Sequence, residues 1–219
     1  MSRFLQKKRM ELFLLVFGAL FSIMNPLGTV PVFVGLTHDN TSIERAKIAF
    51  WTSFNVLIIL FLSFFGGKYI LSFFGISLTS LKIAGGLIIT SSGFALLTGK
   101  FSEHKGMKKS KVKEDIATRS EVSLTPLAIP MLAGPGTISM LITYNQVYTD
   151  FDQIIITVSA IVFTTVVIYL ILKSSHFIAK FLGASGINAL SRVIGFIVIA
   201  IGVEYILSSI LDVVFRTFF

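Results

Sequence analysis

Six stretches of this chain are apolar over about the ~20 residues that carry a helix across hydrocarbon. They lie near residues 11–36, 46–66, 77–98, 124–146, 154–172 and 193–211. Backbone in lipid must satisfy its own hydrogen bonds, so runs of this length read as membrane helices. Composition agrees: 54% of the 219 residues are hydrophobic and only 14% charged, too few to clothe a soluble domain of this size. The net charge of +8 comes from Lys and Arg placed between the apolar runs, without interleaved aromatic platforms. That suits anchoring at an anionic bilayer surface rather than a nucleic-acid partner. No cysteine is present, so no disulfide framework or thiolate metal site is expected. Arg3, Lys7, Lys8 and Arg9 precede the first run, but no small-x-small cleavage pattern follows, so that run is expected to stay in the protein.

The first run contains an anomaly, 24-MNPLGTVPVF-33. Pro26 and Pro31 lack a backbone N–H and crowd the carbonyls of Ser22 and Leu27, while Gly28 tolerates dihedrals other residues avoid. The span is expected to divide into two half-helices around residues 25–31. Polar groups freed there cannot face acyl chains, so the break must face protein or a wet cavity. The fourth run repeats the device in 124-LTPLAIPMLAGPGTISM-140, with Pro126, Pro130, Pro135, Gly134 and Gly136. Thr29 and Thr137 each follow a glycine where a hydroxyl could cap a resumed helix.

These echoes extend along the chain. The stretch 72-SFFGIS-77 matches 180-KFLGAS-185, and Gly28-Thr29 falls on Gly136-Thr137 at the same offset. Further on, 81-LKIAGGLII-89 echoes 190-LSRVIGFIV-198, and two residues of slippage from that offset pair Lys82 with Arg192 and Gly85 with Gly195. Three spans per half is an odd number, so the halves would enter the bilayer from opposite sides. The expected fold is an all-α integral membrane protein of six transmembrane helices in two inverted three-helix repeats. The first helix of each repeat is interrupted at mid-membrane. Residues 1–98 and 124–219 form the repeats, joined by a lysine-rich loop, 99–123, that tips the positive-inside count toward termini outside the cytoplasm. Half-helix N-termini suit an anionic group and C-terminal carbonyls a cation, so two such breaks suit a zwitterion.

Other polar residues in the spans are candidates for coupling or gating. Glu204 is the acid deepest within an apolar run, and an intramembrane carboxylate is a functional candidate by default. Asn55, Thr90 and Ser91 join it, although packing between helices and bonds to the residues' own helix are the simpler roles. The chain has no GxSxG, HExxH or phosphate-binding loop, so neither catalysis nor ATP-driven pumping is expected.

At 25-NPLGTVP-31, 83-IAGGL-87, 126-PLAIPMLAGPGTI-138 and 188-NALSRVIGFIVIAIGVEYI-206 the chain resembles the MarC family of membrane proteins, a group that includes neutral amino-acid transporters of the SnatA type. The likeness runs from about residue 10 onward. It implies ion-coupled secondary transport of small neutral amino acids such as glycine and alanine, driven by H+ or Na+, in the cell inner membrane. It assigns substrate binding to Asn25, Pro26, Gly28, Thr29, Ala133, Gly134, Pro135, Gly136 and Thr137. Lys82 departs from the arginine expected before the IAGG run. An exporter of amino acids or other small metabolites, and a non-transporting membrane partner protein, are the alternative readings.

Overall fold

The computed structural model describes residues 2–99, 127–128 and 131–218. Its regular elements are all helices: α1 (Ser2–Met24), α2 (Pro26–Leu36), α3 (Ser42–Phe74), α4 (Leu78–Leu97), α5 (Pro135–Val147), α6 (Phe151–Lys173) and α7 (Ser175–Phe218). A left-handed Gly183 (φ 63°) breaks α7 near its start. Helices α3, α4, α6 and α7 are each long and apolar enough to cross a membrane, and α1 with α2, bent by 41°, passes the same test only as a pair, as one broken span or a re-entrant loop. The described residues therefore account for four or five spans rather than six. With 13 residues, α5 is too short to cross alone. Pro126, Pro130 and the loop 99–123 beyond Gly99 lie outside the described residues.

Local chemistry sets the helix ends. Thr41 and Glu44 form a capping box at the start of α3: Thr41 N donates to Glu44 Oε2 (2.7 Å), and Glu44 N donates to Thr41 Oγ1 (3.3 Å). Gly75, with φ 64°, closes α3, and Ser77 caps α4 by accepting from Ser80 N at 3.1 Å.

The closest helix pair is α4 against α7, where glycines let backbone meet backbone. A Cβ on Gly86 would lie 2.7 Å from the Gly202 oxygen, and one on Gly202 would lie 2.7 Å from the Gly86 oxygen. Gly93 and Gly195 repeat the arrangement at 2.8 and 2.9 Å. Residue numbers rise on one helix as they fall on the other, so the pair is antiparallel. The glycines of α4 that meet α7 are thus Gly86 and Gly93. Gly85 instead faces Ser139 of α5, whose hydroxyl donates to the Leu81 carbonyl at 3.2 Å.

Around this pair, α3 packs on α5 and α6, α1 on α6, and α2 on α7 and α6. Leu20, Phe33, Leu60, Phe64, Ile89, Met140, Ile168 and Val198 are fully buried between them. The outer faces are apolar too: Phe54, Ile58, Leu62 and Phe65 on α3, and Ile155, Val162, Val166 and Leu170 on α6 are exposed. A bundle greasy inside and out is matched to lipid, not water.

Candidate functional site

Asn25 is the joint of the first interruption. Its N–H donates to the Phe21 carbonyl at 3.0 Å, the last bond of α1. It then turns left-handed (φ 43°, ψ 65°), a conformation Asn adopts more readily than other non-glycine residues. Its Oδ1 accepts from Gly28 N at 3.2 Å and so caps α2, with Pro26 at the first helical position, where no N–H is needed. One side chain thus ends one helix and starts the next. The break is a point at Asn25, not a region across 25–31: Pro31 lies within α2, which continues through it. The left-handed residue is Asn25, not Gly28. What Gly28 supplies is space, because a Cβ there would collide with the Asn25 amide and sit 3.2 Å from Ser191 Oγ of α7.

The second interruption lies before α5. Its N-cap is Gly134, in extended backbone (φ −82°, ψ 170°) with no side chain to cap the helix, and Pro135 follows at the first position. Just ahead, Ala133 N donates to the Ala128 carbonyl at 2.9 Å, an i to i−5 bond that widens the turn. Neither threonine acts as a cap. Thr29 donates back to the Asn25 carbonyl at 3.3 Å, and Thr137 lies in the first turn of α5, inside the helix. Gly136 is held tight as well; a Cβ there would lie 2.9 Å from Ile89 of α4.

The two breaks share surroundings. The helix ending at Asn25 packs beside the helix that begins at Pro135. Met24 and Ala133, which flank the breaks, belong to one apolar core. Asn25, Pro26, Thr29, Ala133, Gly134, Gly136 and Thr137 are buried, Gly28 is half-buried and Pro135 is exposed.

Hydrogen bonding separates these groups from ordinary buried hydroxyls. Thr143, Thr157, Thr164 and Thr165 each donate to the carbonyl four residues back, at 2.7–3.0 Å. Asn25 Nδ2 and Thr137 Oγ1 are buried and have no partner. Thr90 Oγ1 is in the same condition, against Gly202, and so are Thr52 Oγ1 and Ser53 Oγ. Buried polar groups are nearly always paired, so the unpaired ones beside the two helix breaks are candidates to bond a polar ligand.

The remaining candidates scatter. Asn55 is half-buried in α3, and Ser91 is exposed on α4. Glu204 is exposed on α7, about 200° around the helix from Gly202 and so facing away from α4. Ser191 and Ser139, which face Gly28 and Gly85, went unnoticed in the sequence, since nothing local distinguishes them from other small polar residues of a span. A cleft of about 520 Å³ opens elsewhere, at the ends of α1 and α6, lined by Lys8, Arg9, Tyr148, Asp150 and Asp152 among others, with Arg9 bonded to Asp152 at 2.6 Å.

Apolar helices packed on glycines, with an interrupted crossing in their midst, define a multi-pass α-helical membrane protein. The chain belongs to the MarC family of integral membrane proteins, whose family profile matches residues 10–214. It is 34% identical over 203 residues to the inner membrane protein MarC of Salmonella typhimurium, covering 89% of this chain and 92% of that one. The membrane protein YhcE of Escherichia coli is 33% identical over 194 residues, 89% of each chain. A membrane protein of Buchnera aphidicola is 33% identical over 196 residues, 90% of each. A multi-pass place in the inner membrane fits both the Salmonella relative's name and the apolar helices. No solved structure matches. These relatives carry the likeness as far as the family; their names specify no amino-acid substrate.

Proposed function

We propose that this protein is a secondary active transporter of small neutral amino acids, glycine or alanine in size, driven by a proton or sodium gradient. The observation that carries the reading is the pair of buried, unpartnered groups at the breaks, Asn25 Nδ2 and Thr137 Oγ1. Both can donate to a carboxylate, and the uncapped start of α5 adds the positive end of a helix dipole. Carbonyls at the end of α1 suit the ammonium of the same zwitterion. Crowding at Gly28 and Gly136 favours a small side chain. With no catalytic or nucleotide-binding motif in the chain, transport fits better than enzyme chemistry.

An inverted repeat of six spans would provide alternating access, and the packing supports one. At an offset of 109 residues, Gly86 falls on Gly195 and Gly93 on Gly202, so exchanging the halves turns one glycine contact into the other. The packing of α4 on α5 is echoed by α7 on α2, and that of α3 on α5 by α6 on α2. Rocking of one half against the other about such an axis would expose the breaks to each side in turn.

The test is uptake of labelled glycine or alanine by liposomes holding the purified protein. Accumulation under an imposed proton or sodium gradient is expected. No flux in either direction, under gradients of either sign, ends the reading; efflux alone makes the protein an exporter.

A further inference from the structure

Glu204 lies in a strip of exposed apolar residues on α7 that includes Val193, Phe196, Val203, Leu207 and Leu211 and ends at Phe215. Eleven residues separate Glu204 from each end of the strip, whose ~33 Å length matches the hydrocarbon layer. A carboxyl group turned toward acyl chains there is costly. Among the described residues the ion pairs lie elsewhere, at Lys7–Glu11 and Arg9–Asp152, and none includes Glu204. By contrast, α3 between Phe50 and Phe65 and α6 between Ile154 and Leu172 carry no charge at all.

The complementary charge stands on another face of the same molecule. Lys68 is exposed on α3, over the ring of Tyr69 at 5.0 Å, with no acid beside it. Close contacts run across the bundle from one residue to the other: Gly202 on Gly86, neighbouring Gly85 on Ser139, and Ile142 on Gly67. Counting along each helix from those contacts puts Lys68 and Glu204 within roughly 5 Å of the same level, inside a lysine's reach. Copies inserted in the same orientation therefore present the two charges at matching depth.

We infer that copies of this chain associate in the membrane, the α7 face of one against the α3 face of the next, with Glu204 paired to Lys68 of the neighbouring copy. Two different faces meet, so the contact is heterologous and builds a ring or an open row rather than a two-fold dimer.

Absence of native cysteine makes the test direct. Ser72 and Leu211 are exposed, lie one and two turns further along the same faces, and again share a level. The variant carrying Ser72→Cys and Leu211→Cys, oxidised in its native membrane, is expected to give a ladder of dimers, trimers and higher species. Glu204→Gln in that background should remove the ladder, and Glu204→Lys with Lys68→Glu should restore it. Covalent dimers from Leu211→Cys alone would show a two-fold α7 contact and overturn the proposal. So would a monomeric mass for the wild-type chain in lipid nanodiscs, or a ladder unchanged by Glu204→Gln. The restored double swap, checked for membrane insertion, separates lost pairing from lost folding.

Discussion

Asn25 Oδ1 accepts the backbone N–H of Gly28 at 3.2 Å while its own Nδ2 stays buried without a partner. The two halves of one amide thus differ: the oxygen builds the helix start, and under the proposed function the nitrogen binds the substrate. Three substitutions divide them. Asn25→Gly keeps the left-handed backbone and costs only a few tenths of a kcal/mol as a cap. It should leave the melting temperature nearly unchanged and abolish transport. Asn25→Asp keeps the cap, removes the donor and should also abolish transport. Asn25→Ala forfeits both cap and backbone compatibility, costing about 2–3 kcal/mol. Equal transport by wild type and Asn25→Gly would remove the side chain from the site.

The α4–α7 contact predicts opposite outcomes at different glycines. A methyl group at Gly93 or Gly202 meets backbone oxygen under 3 Å away, which cannot move aside as a flexible side chain can. Gly202→Ala should destabilise by about 1–3 kcal/mol or more, since the two helices must part. Gly66, on α3, has nothing within 4 Å of its would-be Cβ. Gly66→Ala should stabilise by roughly 0.5–1 kcal/mol through helix propensity alone. Thermal unfolding in one detergent, read for both variants, checks the pair.

Much of this was visible in the sequence, and the misses share a cause. Residues 25-NPLG-28 announce a break because proline, glycine and a capping Asn act on their own neighbours. The same local logic overreached at Pro31. Its missing N–H leaves the Leu27 carbonyl without a helical donor, yet α2 continues through it to Leu36, held by packing on α6 and α7. Which of the adjacent Gly85 and Gly86 meets α7 was not legible, because it depends on rotation about α4, a tertiary quantity. Glu204 stood out as an acid in an apolar run, but the sequence could not show that it faces outward.

The capping box at α3 is a control for changes unrelated to transport. Thr41→Ala removes the acceptor for Glu44 N and should cost about 1 kcal/mol. Because the box is exposed and lies at a helix end, transport per folded molecule should equal that of wild type. A matching loss of transport would show that α3 moves as part of the cycle and that its start must hold firm.

Thr137 supplies the sharpest separation of stability from activity. A buried hydroxyl without a partner costs roughly 1–3 kcal/mol of desolvation that nothing in the empty protein returns. Thr137→Val keeps the shape and discards the hydroxyl, so the variant should melt at the same temperature as wild type or higher. If the hydroxyl receives substrate, the same variant should lose most of its uptake, and glycine should no longer raise its melting temperature. Thr143→Val is the counterpart: its hydroxyl already bonds the Ser139 carbonyl at 3.0 Å, so removing it should leave uptake intact. A stabilised, fully active Thr137→Val would mean that the hydroxyl is a packing fault and that the substrate binds away from α5.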